Sequence, residues 1–178
     1  MQDEIRPMDI AYQLAFRIAH ALLRTYWWFR RPRKGGILVA VWHLDKVLII
    51  KNSYRRQYTL PGGYPLRGES PAETGSRELL EECGLYVPVA DLREVYRREF
   101  LFEHRRDDVI IVEAEVARWP RVRIDHREVS EARFANPDDV GALLAVPHLT
   151  DYLQRRLAQQ LPLSLPATMT GGTVQGAD

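Results

Sequence analysis

Residues 63–85 read GYPLRGESPAETGSRELLEECGL, and the second half of this stretch carries a full set of helix signals. Ser70 suits the N-cap, Pro71 the first helical position, and Glu73 completes a Ser-x-x-Glu capping box. Gly84 supplies the stop, because glycine takes the left-handed conformation that ends many helices. Together they predict a helix from Pro71 to Cys83. At roughly 100° per residue, Glu78, Glu81 and Glu82 share one face, at i, i+3 and i+4. Ala72, Leu79, Leu80 and Cys83 fall on the opposite side, expected to be buried.

Carboxylates gathered on one face repel, each like-charge pair costing an isolated helix ~0.2–0.5 kcal/mol. These also lie towards the helix C-terminus, where the dipole disfavours negative charge. A divalent cation reverses both penalties, and an oxygen-only, carboxylate-rich donor set suits Mg²⁺ or Mn²⁺ better than zinc. Arg77, one turn before Glu81, is spaced to orient it by a charge-assisted hydrogen bond. Taken alone, the same residues also fit a solvated acidic face with Arg77 as an ordinary surface pair.

The stretch as a whole resembles the Nudix box. That pattern is Gly, five residues, Glu, seven residues, then Arg-Glu-apolar-any-Glu-Glu-any-Gly-apolar, matched here by Gly63, Glu69, Arg77, Glu78, Leu79, Glu81, Glu82, Gly84 and Leu85. Every fixed position agrees, which makes the match far more specific than a lone glycine motif. The resemblance implies an α/β fold, a Nudix-type α/β/α sandwich with a mixed β-sheet, over Gly35 to Leu161. It implies a Mg²⁺-dependent hydrolase, Mn²⁺ being an alternative, that cleaves the pyrophosphate bond of a nucleoside diphosphate linked to another moiety. It assigns metal binding to Glu78, Glu81 and Glu82, with a backbone carbonyl at Gly62. Glu78 becomes the candidate for proton abstraction from water, and Glu69 and Arg77 become supporting residues. The family often adds a carboxylate from a later strand or loop. Glu131 is the first candidate, Glu128 the second, and Glu113 or Glu115 the third, each also readable as a surface ion pair.

Composition bounds the rest. The 178 residues, 46% hydrophobic and 28% charged, have the make-up of one globular domain with modest additions. A net charge of +1 provides no global field towards nucleic acid. The single cysteine, Cys83, excludes an internal disulfide and reads as a core residue. Nothing asks for an oxidising compartment, so a cytoplasmic location is expected.

Residues 1–34 read as an added amphipathic helix and basic linker, 35–161 as the Nudix domain, and 162–178 as a disordered Pro-, Gly-, Thr- and Ser-rich tail. From Met8 to Phe29, Ile10, Leu14, Ile18, Leu22 and Phe29 line one side, and Gln13, Arg17, His20 and Arg24 form a polar stripe. Tyr12, Phe16, Leu23, Tyr26, Trp27 and Trp28 widen the apolar part, and Arg30, Arg31, Arg33 and Lys34 close the segment around Pro32. The charges interrupt it too often for a spanning helix. Packing on the catalytic domain or across a homodimer, lying on a membrane surface, and binding nucleic acid are its three readings, in falling order. Within the domain, Ile37–His43 and Lys46–Lys51 form a hairpin turning at Leu44 and Asp45. Tyr58 to Leu60 leads into Pro61-Gly62-Gly63. Strands follow at Val95–Phe102, Val109–Val116 and Glu128–Phe134, with a charged turn at Arg105–Asp108. A short helix starts after Asn136, and an amphipathic one runs from Pro147 to Leu161.

Arginine forks bind phosphate oxygens bidentately, which makes Arg56 and Arg98 candidates for substrate binding. Tyr58, Phe100 and Phe102 are candidates for stacking on a base, or core residues. The substrate stays open. The region around Leu101 lacks the downstream proline of many ADP-ribose hydrolases, Phe102 stands nearest the tyrosine of diadenosine-polyphosphate hydrolases, and no SQPW-type signature follows. NDP-sugars, ADP-ribose, NTP-like substrates and RNA caps remain, and so do two other classes: a non-catalytic nucleotide-sensing module, and a membrane-surface hydrolase of an amphiphilic diphosphate.

Overall fold

The computed structural model describes residues 7–30, 33–102, 105–124 and 126–160. Helix α1 (Pro7–Arg30) precedes strands β1 (Arg33–His43), β2 (Lys46–Asn52), β3 (Tyr58–Thr59) and β4 (Gly62–Gly63). Helix α2 (Pro71–Cys83), β5 (Arg93–Phe102), β6 (Arg105–Glu115), β7 (Val129–Ala135), α3 (Pro137–Ala142) and α4 (Pro147–Gln160) follow. The strands form one seven-stranded mixed sheet with the central order β3-β2-β1-β6-β5, while β4 pairs with β1 and β7 with β2. The β1–β6 pairing is parallel, and the other pairings are antiparallel.

Alternation along β1 divides the core in two. Ala40 and Trp42 face α4, where Leu149, Tyr152 and Leu153 complete one cluster. Ile37, Val39 and Val41 face α2, where Leu79 and Cys83 complete the other. Helices on both faces bury the central strands on both sides, which is why β2 and β6 read as continuous apolar runs. Gly75 lets α2 approach closely: a Cβ there would lie 2.7 Å from Val112 Cγ2 and 3.1 Å from Val39 Cγ2. The α4 side holds a buried polar chain, in which Trp42 Nε1 donates to Tyr152 Oη at 2.9 Å and Tyr152 donates to Glu113, itself paired with Arg156.

The expected elements are present, with specific differences. Arg105–Asp108 is strand rather than turn, because Arg106 to Asp108 pair with Arg33 to Gly35 of β1 on one side and with β5 on the other. The same pairing draws Arg33 and Lys34, expected as linker, into β1. Leu80 is half exposed rather than buried, since the apolar face of α2 is narrower than its leucine pair suggests. The expected tail lies outside the described residues. Among the described residues, no helix is long and apolar enough to cross a membrane.

Helix α1 packs in the opposite sense to the one its apolar periodicity suggests. The polar stripe meets the domain: Gln13 Nε2 donates to the His126 carbonyl at 2.7 Å, and Arg17 Nε donates to the Ser53 carbonyl at 3.0 Å. Asp9 is buried beside Arg127, and Phe16 and His20 pack on the ring of Tyr54. Ile10, Leu14, Ile18 and Leu22 face outwards.

Candidate active site

The turn before α2 and the helix itself build the site. Ser70 and Glu73 form the expected capping box, and Gly84 ends the helix at φ 60°. Gly62 sits at φ 146°, and a Cβ there would fall 2.1 Å from the Ile37 carbonyl oxygen, so only glycine fits. A Cβ on Gly63 would fall 2.3 Å from Glu78 Oε1. These two glycines let the β4 turn settle directly on the α2 carboxylates. The Gly62 N–H donates to Glu82 Oε2 at 2.7 Å, an anchor between turn and helix.

Arg77 is the hub of the acidic face. Its Nε and Nη2 grip Glu69 at 2.9 and 3.1 Å, and its Nη1 donates to Glu78 at 2.8 Å and Glu81 at 3.2 Å. Glu69 also accepts from the Leu66 N–H at 2.9 Å and the Thr74 hydroxyl at 2.9 Å. Arg77 and these donors hold its carboxyl down to a pKa of about 2. Burial acts oppositely on the other carboxylates. Glu82 is pushed well above its ordinary value by desolvation, against the Gly62 N–H, with Glu128, Glu78 and Glu81 adding repulsion. Glu78 is raised by desolvation too, with Arg77 opposing.

These groups open onto a cavity of about 660 Å³. Gly62, Glu78, Glu81 and Glu82 all line it, Glu82 from a buried position and Glu81 from the rim. The later candidates sort differently. Glu128 lines the cavity, whereas Glu131, the first candidate, does not. Glu131 accepts from the Tyr58 hydroxyl at 2.7 Å and lies 3.6 Å from Arg133, because its place opposite Lys51 in β7 aims it along the sheet edge. Glu113 and Glu115 are spent on Arg156. Arg56 is exposed and away from the cavity, where its neighbour Arg55 takes the lining position against the Tyr54 ring. Arg98 is paired with Asp151 and lies over Phe100, and neither reaches the cavity. The Phe102 side chain lies outside the description.

Sequence reasoning missed the opposite wall. Phe16, Ala19, His20 and Leu23 of α1 line the cavity, as do Tyr54, Asp107 of β6 and His148 at the start of α4. No local motif marks these residues, and only the docking of α1 and the ends of β6 and α4 brings them in.

A sequence model of the NUDIX domain matches residues 32–157. The chain belongs to the Nudix family. As a Nudix hydrolase it is a pyrophosphohydrolase, in a family that generally uses a divalent metal. Solved structures share its fold. A MutT protein from Methanosarcina mazei superposes with a TM-score of 0.62 at 17% identity, over 72% of this chain and 96% of the other. The NUDIX domain of Shewanella oneidensis NrtR, complexed with ADP ribose, gives 0.63 at 15%, over 72% and 88%. A bifunctional NMN adenylyltransferase/ADP ribose pyrophosphatase from Francisella tularensis, complexed with AMP and a Mn ion, gives 0.63 at 14%, over 82% and 48%. No curated protein sequence is similar enough to match.

Among the described residues of this Nudix chain, no three His, Cys, Asp or Glu side chains are gathered closely enough to hold a metal ion by themselves. The donor chemistry still fits a hard dication. It is all oxygen, and crowding and burial raise the carboxyl pKa values of Glu78 and Glu82, a penalty that a cation would relieve.

Proposed function

We propose that this Nudix protein is a Mg²⁺-dependent hydrolase of a small nucleoside diphosphate derivative, with Mn²⁺ able to substitute. The observation that carries this reading is the buried Glu82 and the partly buried Glu78, mutually repelling beside the Gly62 turn, on a cavity large enough for a nucleotide. Glu78, Glu81, Glu82 and the Gly62 carbonyl would hold the metal. Bound there, it would neutralise phosphoryl charge and make water nucleophilic near neutral pH. Arg77 keeps Glu78 and Glu81 oriented, and Glu69 keeps Arg77 in place. Glu78 is the proposed base towards water. Glu128 takes the place of Glu131 as the supplementary carboxylate, and Arg55 that of Arg56 as the cation nearest the substrate.

A second reading concerns the substrate's other moiety. Phe16, Ala19, Leu23, Leu38, Leu60 and Val109 give the cavity an apolar side, which favours an amphiphilic diphosphate over a sugar-linked one. The test is a panel of ADP-ribose, NDP-sugars, dinucleoside polyphosphates, nucleoside triphosphates and isoprenyl diphosphates with Mg²⁺ and Mn²⁺. Glu81→Gln and Glu82→Gln serve as controls. Release of phosphate or nucleotide by the wild type and not by the variants is expected. Equal inertness of all three proteins across the panel, with ligand-induced thermal shifts, would instead assign a nucleotide-sensing module.

A further inference from the structure

The outer face of α1 has no role in the site. Met8, Ile10, Leu14, Ile18, Leu22 and Tyr26 are 64, 60, 57, 55, 68 and 53% exposed. On a helix of ~100° per residue they fall within an arc of about 160°, which Ala11, Ala15, Ala21 and Thr25 fill. No charged residue lies inside that arc. Arg24 flanks one edge, within about 40° of it, and Arg17, exposed although its Nε is held by the Ser53 carbonyl, lies between Arg24 and that edge. Asp9 is the helix's single acid, and it is turned inwards on Arg127. From Pro7 to Lys34 the sequence has six basic residues (Arg17, Arg24, Arg30, Arg31, Arg33, Lys34) and one acidic residue.

We propose that α1 seats this protein on an anionic lipid surface through this face. An apolar arc with a cationic margin is what an interfacial helix needs: the arc enters the acyl boundary while the margin meets the headgroups. The inner neighbours of the arc, Ala19 and Leu23, line the catalytic cavity, so a seat on this face brings the cavity beside the headgroups.

The experiment is flotation of the full chain with vesicles of phosphatidylcholine alone or containing phosphatidylglycerol, at low and high salt. It needs no turnover, so it stands or falls separately from the hydrolase reading. The comparison is the triple variant Leu14→Glu, Ile18→Glu, Leu22→Glu, all exposed positions outside the cavity. The expected result is wild-type binding to the anionic vesicles at least ~10-fold above the neutral ones, weakening with salt. The variant should lose at least ~10-fold of that binding while its melting temperature stays within about 3 °C of the wild type. Absence of wild-type flotation, equal binding to neutral vesicles, or equal binding by the variant overturns the proposal. So does a wild-type dimer on light scattering that the variant dissolves, with no vesicle bound, which would give this face to a second copy.

Discussion

Glu82 is a carboxylate buried at some cost, with one N–H of the Gly62 turn as its partner and other carboxylates nearby. A group kept in that state is useful when a cation joins it. At Mg²⁺ near 100 times its dissociation constant, the wild type should gain about 2.7 kcal/mol, or roughly 5–10 °C of melting temperature. Glu82→Gln should lose that shift and at least ~100-fold of activity, read by thermal melts with and without EDTA and by steady-state rates. Glu69 behaves in the opposite sense. Its folded pKa, near 2, lies below the ordinary 4.5. The stability it contributes through Arg77 is therefore fully present above about pH 4.5 and is lost as pH falls towards 2. The gap in melting temperature between wild type and Glu69→Gln should be constant at neutral pH and close over that acid window.

Helix α2 shows how one element serves both the core and the cavity. Its capping box and Gly84 stop fix its ends, Leu79 and Cys83 fix its rotation, and that rotation turns the carboxylates towards the β4 turn. Gly75 sets its depth. In an exposed helix Gly→Ala gains about 1 kcal/mol, whereas overfilling a packed core costs about 1–3 kcal/mol. The contact of 2.7 Å with Val112, a rigid and buried side chain, makes the second effect larger here. Gly75→Ala should cost about 1–2 kcal/mol in urea unfolding, against the helix-propensity expectation.

At the scale of the molecule, the cavity is a joint product. Its floor comes from α2 and the β4 turn, its rim from the loop after β2, and its far wall from α1. Phe16 and Leu23 of that wall are apolar and carry no group that could respond to developing charge, so they should hold substrate and transition state equally well. Phe16→Ala and Leu23→Ala are each expected to raise KM about 5–10-fold with kcat within about twofold, read from initial rates on the best panel substrate. A loss confined to kcat would place α1 in the chemistry instead.

What was legible in the sequence was legible because it is local. A helix cap, an i, i+3, i+4 face and the Arg77–Glu81 reach depend on neighbours within a turn or two, and all stand in the structure. The apolar runs of β1, β2 and β6 were readable because a sheet covered on both faces makes its central strands apolar throughout. The remaining choices were made between distant segments. Glu128 and Glu131 look equivalent along the chain, and the pairing of β7 with β2 sends one to the cavity and the other to Tyr58. Arg105 to Asp108 look like a turn until β1 pairs with them in parallel. The periodicity of α1 gives it an apolar side but cannot say where that side goes. The domain surface around Tyr54 and Ser53 offers ring faces and a backbone carbonyl, which the polar stripe of α1 satisfies, and the apolar side is left to water. The sequence by itself determined the family, the acidic helix and its hub. The tertiary structure alone decided which later carboxylate and which helix line the cavity and which face of α1 meets the domain, because those depend on contacts between residues far apart in the chain.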